Sequence, residues 1–217
     1  MPSSTRQRRK EERPQQLREA ALELFVEKGF AATRSEEVAV RAGVSKGTLY
    51  LYFPSKEELL KAVIRHTLAS EIQAGAEMAA AHTGSASERL VDVMTHWWSK
   101  ILSSPASGVF KLVITEVRNF PEIAQFYFEE VIQPGTAIIS QLIRKGIDAG
   151  EFRPVDEMMT VHSIVLPMVM LCLHKHSIGA CSAAGQTLLD APAFIAQHMQ
   201  LIVQGLRMPP QPLALPS

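Results

Sequence analysis

Apolar residues recur along this chain at three- and four-residue spacing, and no segment alternates convincingly at period two, so the pattern predicts an all-α protein. Leu17, Ala21, Leu24 and Phe25 place a first helix over 14–28, closed by Gly29 in the position that favours a glycine after a helix end. Thr33 and Glu36 have the form of a capping box and open a short second helix from about Ser35 to Ala42. Gly43 and Val44 turn the chain, Ser45 caps a third helix carrying Lys46 to Phe53, and Pro54 stops it. Ser55 and Glu58 repeat the capping form at the head of a helix running from Lys56 towards Ala81, with Leu59, Leu60, Val63, Ile64 and Leu68 on its buried side.

Beyond the polar loop 82–87, the periodicity predicts helices over about 87–103, 107–119, 122–148, 156–178 and 191–206. Breaks fall at Pro105, Gly108, Pro121, Pro134, Gly150, Pro154 and the small-residue run 179–185. Four regions follow: a basic, disordered arm over 1–13; a helix-turn-helix domain over 14–60, its motif at about 36–55; a helical C-terminal domain over 61–207; and a proline-rich tail over 208–217.

Composition narrows the function. The chain has 217 residues, 47% of them hydrophobic, enough for a sizeable core. Its net charge is zero, yet residues 1–61 hold twelve Lys and Arg against nine Asp and Glu, so the basic surplus of three is local to the N-terminus. Arg6, Arg8, Arg9 and Lys10 read either as a solvated arm or as contacts to phosphates or a minor groove. Cys172 and Cys181 have no CxxC or Cys/His ligand spacing, which suggests neither zinc nor a disulfide framework and fits a reducing cytoplasm. The N-terminus has no apolar leader, and the stretch 161–173, interrupted by His162 and Pro167, reads as too short to span a bilayer. His174 and His176 lie about 200° apart on a helix and cannot chelate one ion together. With no GxSxG, phosphate loop or paired catalytic carboxylates, neither an enzyme nor a cofactor is expected.

The chemistry concentrates in residues 46–56. On a helix, Leu49 and Phe53 share one face, while Gly47, Thr48, Leu51 and Tyr52 cluster on the other. A lysine, a glycine that permits close approach, a hydroxyl and a phenol on a short helix suit entry into a major groove, where Leu51 would meet a thymine methyl. Tyr50 flanks the buried face and reads equally as core aromatic and as contact, whereas Tyr52 and Thr48 look harder to bury. Lys56, in the first turn of the next helix, is placed for a phosphate.

The run "VAVRAGVSKGTLYLYFPSKEELLKAV" resembles the DNA-binding domain of the TetR family of transcriptional repressors, with the likeness extending over about 14–65. The resemblance implies a homodimer whose N-terminal helices bind half-sites of a palindromic operator on double-stranded DNA and whose C-terminal helices hold a small-molecule effector. Carried over, DNA contacts fall on Lys46, Gly47, Thr48, Tyr50 and Tyr52, with Lys56 on phosphate and Ser35 at the start of the second helix, where the family has an apolar residue. "FKLVITEVRNFPEIAQFYFEEV" and "GEFRPVD" resemble a branch related to multidrug-efflux repressors and specify no ligand. Effector-pocket candidates are Trp97, Trp98, Phe110, Ile114, Val117, Phe126 and Met168; as the two tryptophans are adjacent, only one is expected near the cavity. By the family's helix-pairing habit, Leu166, Val169, Met170, Leu173, Phe194, Met199 and Ile202 are core or dimer-interface candidates. The competing reading is a helical small-molecule-binding or protein-interaction module whose helix-turn-helix is vestigial.

Overall fold

The structure, a computed structural model, describes residues 3–116, 118–177, 179 and 190–208. Helix α1 (Ser3–Lys28) is followed by α2 (Ser35–Arg41), α3 (Lys46–Tyr52) and α4 (Lys56–Ile64). A π-helical turn, Arg65–Ala69, carries α4 straight into α5 (Ser70–Ala81). Then come α6 (Ala86–Ser103), α7 (Ser107–Glu116) and α8 (Pro121–Tyr127), a second π-helical turn at Phe128–Ile132, α9 (Gln133–Asp148), α10 (Glu157–Lys175) and α11 (Ala191–Leu206). Among the described residues there is no strand, only one isolated bridge between Phe152 and Arg207. The all-α expectation holds, and most helix boundaries fall within three residues of the pattern.

Three departures stand out. Helix α1 reaches back to Ser3 through Pro14, so the backbone of residues 3–13 is helical where composition suggests a loose arm. Pro134 does not break the chain: it lies in the first turn of α9, directly after the wider π-helical turn, which absorbs a residue that lacks an N–H and crowds the preceding turn. Likewise α10 runs uninterrupted past His162 and Pro167; at 19 residues and mean hydropathy 1.4 it is long and apolar enough, by composition, to cross a membrane. Yet Val161, Ile164, Met168 and Cys172 form a stripe packed into the core. Most of the proline-rich tail and Cys181 lie outside the described residues.

Leu17, Phe25, Phe30, Val38 and Leu49 build the core of the N-terminal three-helix unit, and Leu59 and Leu60 of α4 close it. Gly29 (φ 87°) and Gly43 (φ 64°) take the left-handed turns that end α1 and join α2 to α3. The Thr33–Glu36 capping box does not form. Thr33 is buried, and its hydroxyl donates to the carbonyls of Gly29 (2.8 Å) and Leu24 (3.2 Å), while the Arg34 amide donates instead to Glu37 (3.0 Å). Ser45 and Ser55 cap as predicted, accepting from the amides of Thr48 and Glu58, each at 3.1 Å. Ion pairs Arg41–Glu23, Arg41–Glu27 and Lys28–Glu37 bind α2 to α1.

In the C-terminal domain α6 packs against α5, α9 and α11, and the segment 150–156 locks four helices. Glu151 accepts from the amides of Ala86 (2.8 Å) and Ser87 (3.1 Å) at the start of α6. The Phe152 ring lies so close to Gly146 of α9 that an added Cβ would stand 2.1 Å from it. Arg153 donates to the last carbonyls of α11, at Gly205 and Leu206, each at 2.8 Å, and Asp156 caps α10. The two domains meet where α1 packs on α7 and α4 on α8, with Phe30 edge-on to Phe120 at 4.8 Å.

Candidate DNA interface and effector cavity

The short helix α3 is anchored by Leu49, fully buried, and by Phe53 just beyond its end. Its other face is open. Gly47 is exposed, and an added Cβ there would meet only the Ser45 hydroxyl at 3.8 Å, so packing within the chain does not require a glycine. Leu51 is 76% exposed and Tyr50 40% exposed. Thr48 is half-buried, its hydroxyl 2.9 Å from that of Ser45. The two tyrosines exchange the places their spacing suggests: Tyr50 is the outward ring, while Tyr52 is half-buried against the core. Tyr52, the last residue of α3, packs against the core beside the buried Phe53. Val40 on α2, 77% exposed, is a further apolar group on this surface that sequence reading misses; its only signal is an apolar residue just past the buried pair Val38 and Ala39.

Charges on this surface are partly spoken for. Lys46 pairs with Glu36 of α2 and lies 5.8 Å from the centre of the Tyr50 ring. The hydrogen bond to Glu36 raises the lysine's pKa, and the same bond lowers that of Glu36. Lys56 does something other than await a phosphate. Its ammonium donates to the carbonyls of Phe30 (2.8 Å), Thr33 (3.0 Å) and Ala31 (3.3 Å) and sits 4.4 Å from the centre of the Phe30 ring. All three of its donors thus hold the α1–α2 loop. Ser35 is buried at the head of α2, which places it in packing and away from the surface.

A cavity of about 300 Å³ opens in the C-terminal domain. Trp97 and Trp98 of α6, Phe110 and Ile114 of α7, Val131 and Ile132 of the second π-helical turn, and Ile139 of α9 line it. Leu68 of the first π-helical turn and His162, Val165, Leu166 and Val169 of α10 complete much of the wall. Both tryptophans line it, against the expectation that only one would: the rings stack at 5.8 Å and 23°, flanking one helix face, a spread that indoles are large enough to bridge. Phe126 does not line it and instead lies beneath Arg65, at 4.9 Å. Met168 is wholly buried in the core, and Val117 lies outside the described residues.

Of the interface candidates, Leu166 (59% exposed) and Met170 (62%) stand out from α10. Val169, Leu173, Phe194 and Ile202 are half-buried, and Met199 is fully buried, a core residue of the single chain. Leu166 and Val169 also line the cavity, so the outer face of α10 and the cavity share a wall. Burial lowers the pKa of His176, whose ring nitrogen lies 2.8 Å from the Ser107 hydroxyl, a contact joining α10 to α7.

Cavity and helix-turn-helix are mechanically joined. Arg65, in the π-helical turn that ends α4, binds Glu130 in the opposite π-helical turn at 2.7 and 3.3 Å. Leu68 of the one turn and Val131 and Ile132 of the other line the cavity.

A three-helix unit presenting a short open helix, joined through a continuous helix to a domain with an apolar cavity, is the architecture of a helix-turn-helix transcriptional regulator with a helical, cavity-bearing body. Comparison with known proteins gives the family. Residues 17–63 match the model of bacterial regulatory proteins of the tetR family, and residues 80–184 match that of the tetracyclin repressor-like C-terminal domain. The HTH-type transcriptional regulator YfiR of Bacillus subtilis is 31% identical over 160 residues, 73% of this chain and 77% of that protein. The fatty acid metabolism regulator protein of Bacillus subtilis is 26% identical over 146 residues, 66% of this chain and 74% of its own. Among solved structures, FadR of Bacillus subtilis in complex with stearoyl-CoA shares the fold at TM-score 0.71 and 22% identity, over 89% of this chain and 99% of that one. The chain belongs to the TetR family of transcriptional regulators: it is a DNA-binding protein and not an enzyme.

Proposed function

We propose that the protein is a homodimeric repressor acting in the cytoplasm, released from a palindromic operator when a small apolar or amphipathic effector fills the cavity. The observation that carries this reading is the continuous connection from open helix α3 through α4 to Leu68 in the cavity wall. Lys46, Gly47, Thr48, Tyr50 and Leu51 form the groove-facing set, Tyr52 supporting it from behind, with Leu51 against a thymine methyl. Lys56 and Ser35 serve the reading head by packing. The outer face of α10, with Leu166 and Met170, meets its copy across a two-fold axis, together with α11. Filling the cavity presses on Leu68, Val131 and Ile132, shifts the paired π-helical turns and tilts α4, so the two reading heads no longer match successive major grooves. The relative solved with stearoyl-CoA shows an apolar chain bound to this fold.

Selection of bound sequences from a random DNA pool, followed by titration in increasing salt, tests it. A palindromic site bound with a steep salt dependence, lost in Thr48→Ala/Tyr50→Ala, is the expected result. Salt-insensitive binding without sequence preference would sink it and leave a helical ligand-binding module.

A further inference from the structure

The cavity wall is almost bare of polar chemistry. No Lys, Arg, Asp or Glu lines it, and the indole nitrogens of Trp97 and Trp98 are sealed from its space, so the tryptophans offer ring surface only. Three side chains of the wall carry a polar atom that could meet a ligand: Tyr127, Thr136 and His162. His162 is exposed at the rim, and its Nδ1 lies 2.8 Å from the Met158 carbonyl. The Thr136 hydroxyl is short enough to turn back to a carbonyl of its own helix. The Tyr127 phenol stands a ring's length from its backbone and has no such outlet, and among the described residues it has no hydrogen-bond partner. Unlike the indole nitrogens, its oxygen is not sealed. Burial nevertheless pushes its pKa far up, so the phenol is deep and neutral. A group that is deep, unpaired and still accessible opens onto the cavity its side chain lines.

A deep hydroxyl without a partner is costly, and native interiors rarely keep one. Holding a water there takes two to four polar neighbours, which an otherwise apolar wall does not supply. A carboxylate or phosphate would accept from the phenol, but no cation lines the wall to offset its desolvation. We propose that the cavity takes a neutral, largely hydrocarbon molecule of about ten non-hydrogen atoms, the content of 300 Å³ at liquid density, whose single carbonyl or hydroxyl oxygen pairs with the Tyr127 phenol. This deepens the effector reading above: it rests on that reading for the release of DNA but not for binding itself. Tyr127 directly precedes the second π-helical turn, whose Glu130 holds Arg65, so a ligand tied to the phenol is anchored beside the joint between cavity and helix-turn-helix.

Trp97 and Trp98 are the chain's only tryptophans and their rings line the cavity, so the intact protein's intrinsic emission reports on the site directly. Titration at pH 8 uses heptyl methyl ketone, nonanoate, nonanoyl-CoA and, as a hydrocarbon without an oxygen, cyclooctane. The ketone is expected to give a saturable change at an affinity about tenfold or more above that of nonanoate. Tyr127→Phe should weaken the ketone by about tenfold, the factor one hydrogen bond of ordinary net strength supplies, and leave cyclooctane unchanged. Because the phenol bonds nothing else among the described residues, the same substitution should not lower the urea midpoint of the ligand-free protein, as loss of a structural hydroxyl would. Nonanoate matching the ketone, nonanoyl-CoA exceeding it tenfold, a Tyr127→Phe variant that keeps the ketone's affinity or loses stability, or silence from every ligand would each overturn the proposal. Ketone binding with the expected pattern but without release of operator DNA supports the ligand chemistry and defeats only the effector reading.

Discussion

Residues 45–56 and 150–156 are both dense in capping and charged side chains, yet they face opposite ways. In the first, capping serines fix the ends of two helices while Gly47, Tyr50 and Leu51 between them stay open to solvent. In the second, every prominent side chain is spent inside the chain: Glu151 on α6, Phe152 on Gly146, Arg153 on α11, Asp156 on α10. A motif-rich stretch is therefore evidence of function only when the fold leaves its side chains unspent. By that measure the first fits the proposed reading head and the second is a clip.

The harshest way to break the clip is at Phe152. Gly146→Ala puts a Cβ against a buried ring that has no room to retreat, and overpacking of this kind costs about 3 kcal/mol. Thermal unfolding should shift down by roughly 10 °C for a chain of this size, while DNA affinity per folded molecule stays the same. A loss of DNA binding at full stability would mean the clip had been misjudged.

Lys56 tests the comparison from the other side, because it lies in the outward stretch but is used inward. Lys56→Met removes three hydrogen bonds from the α1–α2 loop and should cost about 2 kcal/mol, read as a lower unfolding midpoint in urea. The salt slope of DNA binding should not change. A slope shallower by about one, at unaltered stability, would restore the lysine to a phosphate.

These two residues show what was legible beforehand. Helix order, the glycine turns at Gly29 and Gly43, the serine caps at Ser45 and Ser55 and the buried pair Leu49 and Phe53 follow from local spacing, and the structure keeps them. The destination of Lys56 depends on carbonyls 23 to 26 residues away, which no local pattern encodes. For the same reason Tyr50 and Tyr52 trade places, and Thr33 turns inward to Leu24 and Gly29 although its spacing to Glu36 has the form of a cap. In the C-terminal domain the aromatic residues of α6 and α7 point to the cavity, but much of its wall comes from aliphatic residues of α10 and the π-helical turns, indistinguishable in sequence from core.

Glu151 gives a milder test with a pH signature. Burial opposes its ionisation, but the amides of Ala86 and Ser87 and the Ser87 hydroxyl prevail and hold its pKa below the ordinary carboxylate value of 4.5. A carboxylate with a depressed folded-state pKa contributes stability that is complete above its unfolded pKa and is lost as the pH falls through the folded one. Glu151→Gln should therefore cost about 1 kcal/mol at pH 7, and the difference from wild type should close on acidification below pH 4.5, followed by urea denaturation at each pH. A gap that persists unchanged into acid would assign the cost to shape instead of charge.

The smallest expected effect is the one that separates the two stretches most finely. Within the proposed reading head, Lys46 is held in an ion pair, and its partner Glu36 is as exposed as the lysine itself. An exposed pair contributes little to stability, since water screens both ends. A DNA phosphate arriving at Lys46 must displace or share the Glu36 carboxylate, which repels it, so the pair taxes binding without holding up the fold. Glu36→Gln should then leave the unfolding midpoint unmoved, tighten operator binding a few-fold and steepen its salt slope by about one, as a freed ammonium displaces one more counterion. Tighter binding with an unchanged slope would mean that Lys46 reads a base edge and never meets a phosphate, which would move the lysine from positioning the helix to specifying its sequence.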